Sequence, residues 1–404
     1  QLIHKDIPFI KKALNIDIKA ALVKGMANYV CMRKLDDIAE EAGYFSEEDQ
    51  NEVLKIQHWA ETTRRGSRSD LSYVPQYHIW EKVCAEGDAC PFKKCPYYER
   101  CFFFKARNYA SDAKILVVNH SLLFSDLAMR YEAKDYTISA ILPSYKHLVL
   151  DEAHNVEHVA TEQLSCGVSS FDMLKVLSKL STERHEHSFG KLYFLRECIK
   201  KEYPNDAMPT EIQDIMVMIE SDIAAARRRI HSTIKSAFGG CSAYFSMQAI
   251  HKGEDGDLGG KKIRFTEEHA TSKYWQGEVL PHIKRLVDEL RRYIATVSSL
   301  QRKIEETENK NLIGKLETIF LDVNSMTNRL ERLCKSCEAF ALGEDYETMV
   351  RWGEVKKRRG KDDITLVTAH LDISELMARM LFTEMGSVLL CSATLSTNKN
   401  FKFI

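Results

Sequence analysis

The run His147-Leu148-Val149-Leu150 feeds directly into Asp151-Glu152-Ala153-His154, and no other feature limits so strongly what the chain can become. An unbroken apolar stretch suits a strand covered on both faces, as in a parallel sheet. Open sheets of that kind bind ligands outside the carboxyl ends of their strands. Two acids at such an end are placed for Mg²⁺–nucleotide chemistry: Asp151 to hold the ion, Glu152 to orient an attacking water. The stretch reads as a Walker B element, and His154 would link it to the rest of the molecule. The plainer alternative is a strand running into the acidic N-terminus of a helix, where the helix dipole favours carboxylates.

Three more apolar runs read as partners of this strand in one sheet: Ile115–Val118, Ile364–Val367 and Val388–Leu390. Asn119-His120 follows the first and should share the rim of the two acids. Cys391-Ser392-Ala393-Thr394-Leu395 follows the last, so Ser392 and Thr394 are expected to hydrogen-bond toward residues 151–154. A helix is expected near 372–384.

The 404 residues carry a net charge of −1, so any surface for a polyanion must be local. No apolar run approaches the ~20 residues needed to cross a bilayer, and no signal-peptide pattern is seen. A reducing compartment follows, where eleven cysteines are better read as metal ligands and core residues than as disulfides. Cys90, Cys95 and Cys101 form a C-x4-C-x5-C group, with Pro91 and Pro96 bending the chain after two of them. A fourth ligand must come from Cys31 or Cys84. The spacing admits an iron–sulfur cluster or tetrahedral Zn²⁺, although zinc sites more often show paired short knuckles. Around this group Lys93, Lys94, Arg100, Lys105 and Arg107 alternate with Tyr97, Tyr98, Phe102, Phe103 and Phe104. Such a mixture suits phosphates and stacked bases of single-stranded nucleic acid, and suits equally an aromatic shield around a metal.

Between 157 and 350 the pattern is mostly helical. Ile283, Leu286, Leu290, Tyr293, Val297, Leu300 and Ile304 repeat at three and four, a polar turn follows at 308–311, and the period resumes from Leu316 to Phe340. Two antiparallel, coiled-coil-like helices are predicted. Cys334 and Cys337 fall on or beside the apolar stripe and read as core. Gly239-Gly240 and the glycines at 253, 256, 259 and 260 suggest a hairpin or flap around Ala243–Ile250 and Lys262–Phe265. His185 and His187 lack partners at ligand spacing, and Arg227–Arg229 and Lys356–Arg359 read as solvated faces.

The order of these parts, with Lys24-Gly25-Met26-Ala27-Asn28-Tyr29-Val30-Cys31 and Val117-Val118-Asn119-His120-Ser121-Leu122-Leu123, resembles the iron–sulfur helicases of superfamily 2, the DinG and XPD group, and most of all its bacterial DinG branch. The resemblance is strong at 20–31, 90–124, 147–156 and 364–395 and weak from 157 to 345. It implies an α/β fold: a partial RecA-like P-loop NTPase domain with a parallel sheet, interrupted by an iron–sulfur domain (31–110) and a mainly helical arch domain (157–350). The motor parts would be 1–30, 111–156 and 351–404. None of the Gly-Lys pairs at 190, 260, 314 and 360 precedes Ser or Thr, so the phosphate loop, like the second motor domain, is expected in a longer parent protein, and the piece alone should not turn over ATP.

By resemblance the parent is an ATP-dependent 5′–3′ DNA helicase with a role in DNA repair. Asp151, Glu152, His154, Ser392 and Thr394 would serve ATP and Mg²⁺, and Cys31, Cys90, Cys95 and Cys101 would hold a [4Fe–4S] cluster. Lys24, Asn28, Tyr29, Lys105, Arg107, Asn119 and His120 would touch DNA. Single-stranded and forked DNA are the implied partners, with RNA–DNA hybrids as a further candidate, on a monomer in the bacterial cytoplasm at the nucleoid, or in the nucleus of a eukaryote. The rival functions are a DNA-binding or redox-sensing module without motor activity, and a DinG-related nuclease.

Overall fold

The structure, a computed structural model, describes residues 1–40, 46–184, 187–203, 208–251, 262–358 and 361–395. His185 and the glycines at 253–260 lie outside the described residues, as does Arg359. The described strands are β1 (Ala20–Leu22), β2 (Ile115–Val117), β3 (His147–Leu150), β4 (Cys166–Ser169), β5 (Thr182–Arg184), β6 (His187–Phe189), β7 (Lys262–Phe265), β8 (Met349–Arg358), β9 (Lys361–His370) and β10 (Ser387–Leu390). The chain divides into two units, Gln1–Gln163 with the segment from Ile373 onward, and Leu164–Asp372.

In the first unit β1 pairs with β2 and β3 pairs with β10, both in parallel. The register Ser387↔His147 to Leu390↔Leu150 brings the two strand ends flush, and with them the segments that follow. Among the described residues the two pairs are separate ladders, not the single sheet expected from the apolar runs. Between β1 and β2 the chain builds a small helical body. Its helices Met32–Glu40, Glu47–Thr62, Tyr77–Val83 and Phe102–Ser111 meet over Leu35, Ile38, Val53, Ile56, Ile79, Trp80 and Val83. Ser46 opens the second of these helices by accepting the Asp49 backbone N–H, with three acids in its first turn, as the helix dipole favours.

The second unit is built on the long helices Ala224–His251, Leu280–Glu306 and Lys310–Leu342. The predicted two-helix hairpin is present: its seven first-arm positions from Ile283 to Ile304 are all buried, and Asn309 caps the second arm through the backbone N–H groups of Asn311 and Leu312. Cys334 and Cys337 are both buried in this core. Leu290→Ala should cost about 2–5 kcal/mol, because Leu290 is fully buried between the long helices. Denaturant unfolding that follows this unit is the check, and a loss below about 1 kcal/mol, the size usual for surface sites, would contradict the packing.

Two expectations need correction. The run Ile364–Val367 does not rejoin the parallel sheet: it lies in β9, which pairs antiparallel with β8 and β4 in a four-stranded sheet of the second unit, completed by β7. An apolar run announces a buried strand but carries no information about the direction of its neighbours. The hairpin or flap inferred around Ala243–Ile250 is instead part of the helix Ala224–His251, which runs straight through Gly239-Gly240. Ile230, Ile234, Ala237, Phe238, Cys241, Tyr244 and Phe245 keep the three-four period across the pair, and their burial outweighs the ~1 kcal/mol that each helical glycine costs. Lys262–Phe265 is β7, paired with β8.

Candidate functional site

Two constellations stand out, both in the first unit. At the ends of β3 and β10 the ladder continues one step beyond the strands. The Cys391 N–H donates to Leu150 O at 2.9 Å and the Ala153 N–H donates to Cys391 O at 3.0 Å. With Leu150 and Ala153 both tied to Cys391, Asp151 and Glu152 must bridge a fixed gap. Glu152 does so in the left-handed region, at φ 50°, before the turn Ala153–Asn155. A non-glycine residue held there stores strain of about 1–3 kcal/mol, a feature concentrated at functional sites. Asp151 Oδ1 accepts the Glu152 N–H at 3.1 Å, and both carboxylates face solvent.

His154 joins the two strand ends. Its Nδ1 lies 2.8 Å from Ser392 Oγ and 3.4 Å from Glu152 Oε2. Ser392 Oγ also receives the Thr394 backbone N–H at 3.4 Å, so Thr394 enters the constellation through its main chain. The Ser392 hydroxyl is therefore linked to Glu152 through His154 across two paired strands. At the opposite ends of the same two strands, His147 Nδ1 and Ser387 Oγ make a similar 2.9 Å contact.

The loop that delivers β3 is held by a buried network that sequence reasoning missed. Asp126 Oδ1 accepts the N–H groups of Ile141 and Leu142, and Asp126 Oδ2 accepts Arg130 Nε at 2.7 Å and Tyr145 Oη at 2.8 Å. Arg130 in turn donates to the carbonyls of Tyr136, Leu142 and Pro143. Burial, followed by the neighbouring Asp126 charge, holds the Tyr145 phenol well above its usual range. The only trace in the sequence is an Asp and an Arg four apart within a helix, a spacing too common to single out.

The second constellation is a cavity lined by Cys31, Cys90, Cys95 and Cys101, with Arg33, Lys34, Tyr97 and Phe104 on its walls. The extended segment Tyr29–Cys31 is stitched between two others: Tyr29 bridges Ser67, Val30 bridges Cys84, and the Cys31 N–H donates to Val83 O at 2.8 Å. Cys31 and Cys101 sit at the N-terminal ends of the helices Met32–Glu40 and Phe102–Ser111, their carbonyls accepting Leu35 N–H and Lys105 N–H. Helix N-termini favour thiolates. The Phe92 N–H points to Cys90 Sγ at 3.4 Å. Burial nonetheless pushes the Cys31 thiol up to about 11, against the Lys34 backbone N–H and the charges of Arg33 and Lys34, and burial also raises Cys90. A metal taken up here must displace protons. Cys84 is not on the cavity wall: it is buried in the helical core, its thiol directed at Glu81 O. Among the described residues no three or more His, Cys, Asp or Glu side chains are drawn together closely enough to hold a metal ion as they stand.

The residues expected to meet nucleic acid are placed unevenly. Lys24 Nζ donates to Ser67 Oγ at 2.8 Å and to Ser69 Oγ at 2.5 Å, and Asn28 and Lys105 are exposed. Tyr29 is only 5% exposed and packs edge-on to Phe103 at 5.9 Å, so its ring cannot reach a base without opening that core. Arg107 turns inward, donating to Lys24 O and lying 4.9 Å over the Phe103 ring, and burial lowers its guanidinium pKa. Phe104 is packed among Phe92, Tyr98 and Phe103, which favours the shielding role for these rings. Asn119 caps the helix His120–Ala133 by accepting the Leu122 N–H, and His120 begins that helix.

The DEAD_2 family matches residues 80–173. The ATP-dependent DNA helicase YoaA of Haemophilus influenzae is 31% identical over 43% of the chain and 27% of its own length, and that of Escherichia coli 30% over 45% and 28%. The 3′-5′ exonuclease DinG of Bacillus subtilis is 22% identical over the whole chain and 40% of its own length. The chain thus spans well under two thirds of each of these relatives. No described helix is long and apolar enough to cross a membrane.

Proposed function

We propose that this chain, which belongs with the DinG-like superfamily 2 helicases, supplies the Mg²⁺–ATP edge and the strand-engaging body of an ATP-driven DNA helicase moving 5′ to 3′ on single-stranded DNA. The observation that carries the reading is the 2.8 Å contact between His154 and Ser392 at the flush ends of β3 and β10. Asp151 would coordinate Mg²⁺ and Glu152 would orient the attacking water, both from an edge open to solvent. His154 reads the state of Glu152 and passes it to Ser392, tying nucleotide hydrolysis to DNA grip. The network of Asp126, Arg130 and Tyr145 fixes the loop that positions both acids.

Cys31, Cys90, Cys95 and Cys101 would hold a [4Fe–4S] cluster in this reading, and the fit is supported by four thiols around one cavity. When bound, the cluster supplies cross-links that fix a body too small to be secured by its own core alone. Forked DNA, and RNA–DNA hybrids as a further candidate, are the proposed substrates. The reading is tested by measuring DNA-stimulated ATP hydrolysis and strand separation in a chain extended to the length of the DinG relatives, with Ser392→Ala alongside. Hydrolysis retained with unwinding lost supports the coupling role, while a silent extended protein that still binds DNA favours a binding module. Release of nucleotides from a 3′ end without ATP would favour the exonuclease activity named for the Bacillus relative.

The choice of fourth ligand has its own check. Cys84→Ser should leave iron and sulfide content unchanged on anaerobic purification, because Cys84 faces the core and not the cavity. Loss of iron in that variant would transfer the ligand role from Cys31 to Cys84.

A further inference from the structure

The segment Thr62–Asp70 carries Arg64, Arg65 and Arg68 against the single acid Asp70. The structure gives it a defined shape. Gly66 turns the chain at φ +58°, and a Cβ there would lie 2.2 Å from the Phe102 ring, so only glycine fits. Thr63 Oγ1 accepts the Gly66 N–H, Gly66 O accepts the Val30 N–H, and Ser67 bridges Tyr29. Arg68 rests over the Trp80 ring at 5.9 Å, and Trp80 Nε1 donates to Ala27 O. The turn is thus fastened to the same extended segment that ends in Cys31.

Arg64 and Arg65 are exposed and have no carboxylate partner among the described residues. Lys24 is held by the hydroxyls of Ser67 and Ser69, and Ser69 Oγ donates onward to Asp70 Oδ1 at 3.3 Å, the one acid in this segment. Two adjacent exposed guanidinium groups on a turn fixed by Gly66 form a local excess of positive charge that no ion pair among the described residues uses. It suits a ligand with regularly spaced negative charge, and guanidinium groups match phosphate oxygens in geometry as well as sign.

We infer that the turn at residues 63–69 is a clamp on the phosphate backbone of single-stranded nucleic acid, with Arg64 and Arg65 as the contacts, Lys24 beside them, and Gly66 fixing their orientation. This rests on the DNA-binding reading above and adds residues to it. Because the contacts are to phosphate, the clamp is indifferent to base sequence. Its attachment through Val30 places it one residue from Cys31, so the cluster cavity and the clamp share a backbone.

The experiment is fluorescence anisotropy of a labelled oligothymidylate of about 20 nucleotides, a length that spans more than one binding-site size, titrated with the full chain over a series of salt concentrations. Arg64→Ala/Arg65→Ala should weaken binding about three- to tenfold at near-physiological salt and reduce the slope of log affinity against log salt by about 1.4, the value for two lost single-strand phosphate contacts. The Lys/Lys double variant should restore most of the slope, since the contact is largely charge. Wild-type binding with an unchanged slope in the alanine variant overturns the clamp and leaves the DNA reading standing. Failure of the wild-type chain to bind the oligonucleotide overturns both.

Discussion

Glu152→Gln, in a chain extended to the length of its relatives, is expected to lower DNA-stimulated ATP hydrolysis by about 10²–10⁴-fold, the range for losing a positioned general base. The amide keeps the size and left-handed backbone of the residue but cannot take a proton from water. Asp151 is untouched, so Mg²⁺–ATP binding should persist, and the loss should appear in kcat and not in KM. The variant also separates two roles: Glu152 lies 3.4 Å from His154, so an effect through that contact alone should be reproduced by Ser392→Ala. Hydrolysis within about threefold of wild type, far short of the general-base range, would mean that another group orients the water.

Cys31→Ser is expected to reduce bound iron and sulfide to near zero, abolish the visible absorbance of the anaerobically prepared protein, and destabilise the helical body between β1 and β2. Serine preserves the backbone hydrogen bonds to Val83 and Leu35, so the loss reports the sulfur and not the stitching of the segment. Three remaining thiols cannot complete a Cys₄ ligand set. Stoichiometric zinc with no iron in the wild-type protein would overturn the cluster while leaving the nucleotide edge unaffected.

Much of this arrangement was legible because its signals are local. The alternation of threes and fours from Ile283 to Phe340 had to bury one face, and it does. The apolar run before Asp151 had to be a strand, and Val388–Leu390 lies beside it in parallel. What escaped depends on partners distant in sequence. Ile364–Val367 looks the same whether its neighbours run with it or against it. Tyr29 and Arg107 carry chemistry suited to DNA but were drawn inward by Phe103, a contact 74 positions from Tyr29 that no spacing rule announces. Asp126 and Arg130 looked like an ordinary helical pair until the loop at 136–145 closed over them. The Gly66 turn was visible as a glycine, but its reason, the Phe102 ring, was not.

The pairing of His147 with Ser387 spans 240 positions and has a consequence for biosynthesis. At about 5–20 residues per second, a ribosome needs roughly 12–48 seconds to make the second strand after the first has emerged. Throughout that interval β3 presents an unfilled edge, with Val149 on its outer face, to every other nascent polypeptide nearby. A large insertion is therefore tolerable in this position only if it folds promptly by itself, and the densely packed helical hairpin between the two strands is the kind of local, low-contact-order element that does so.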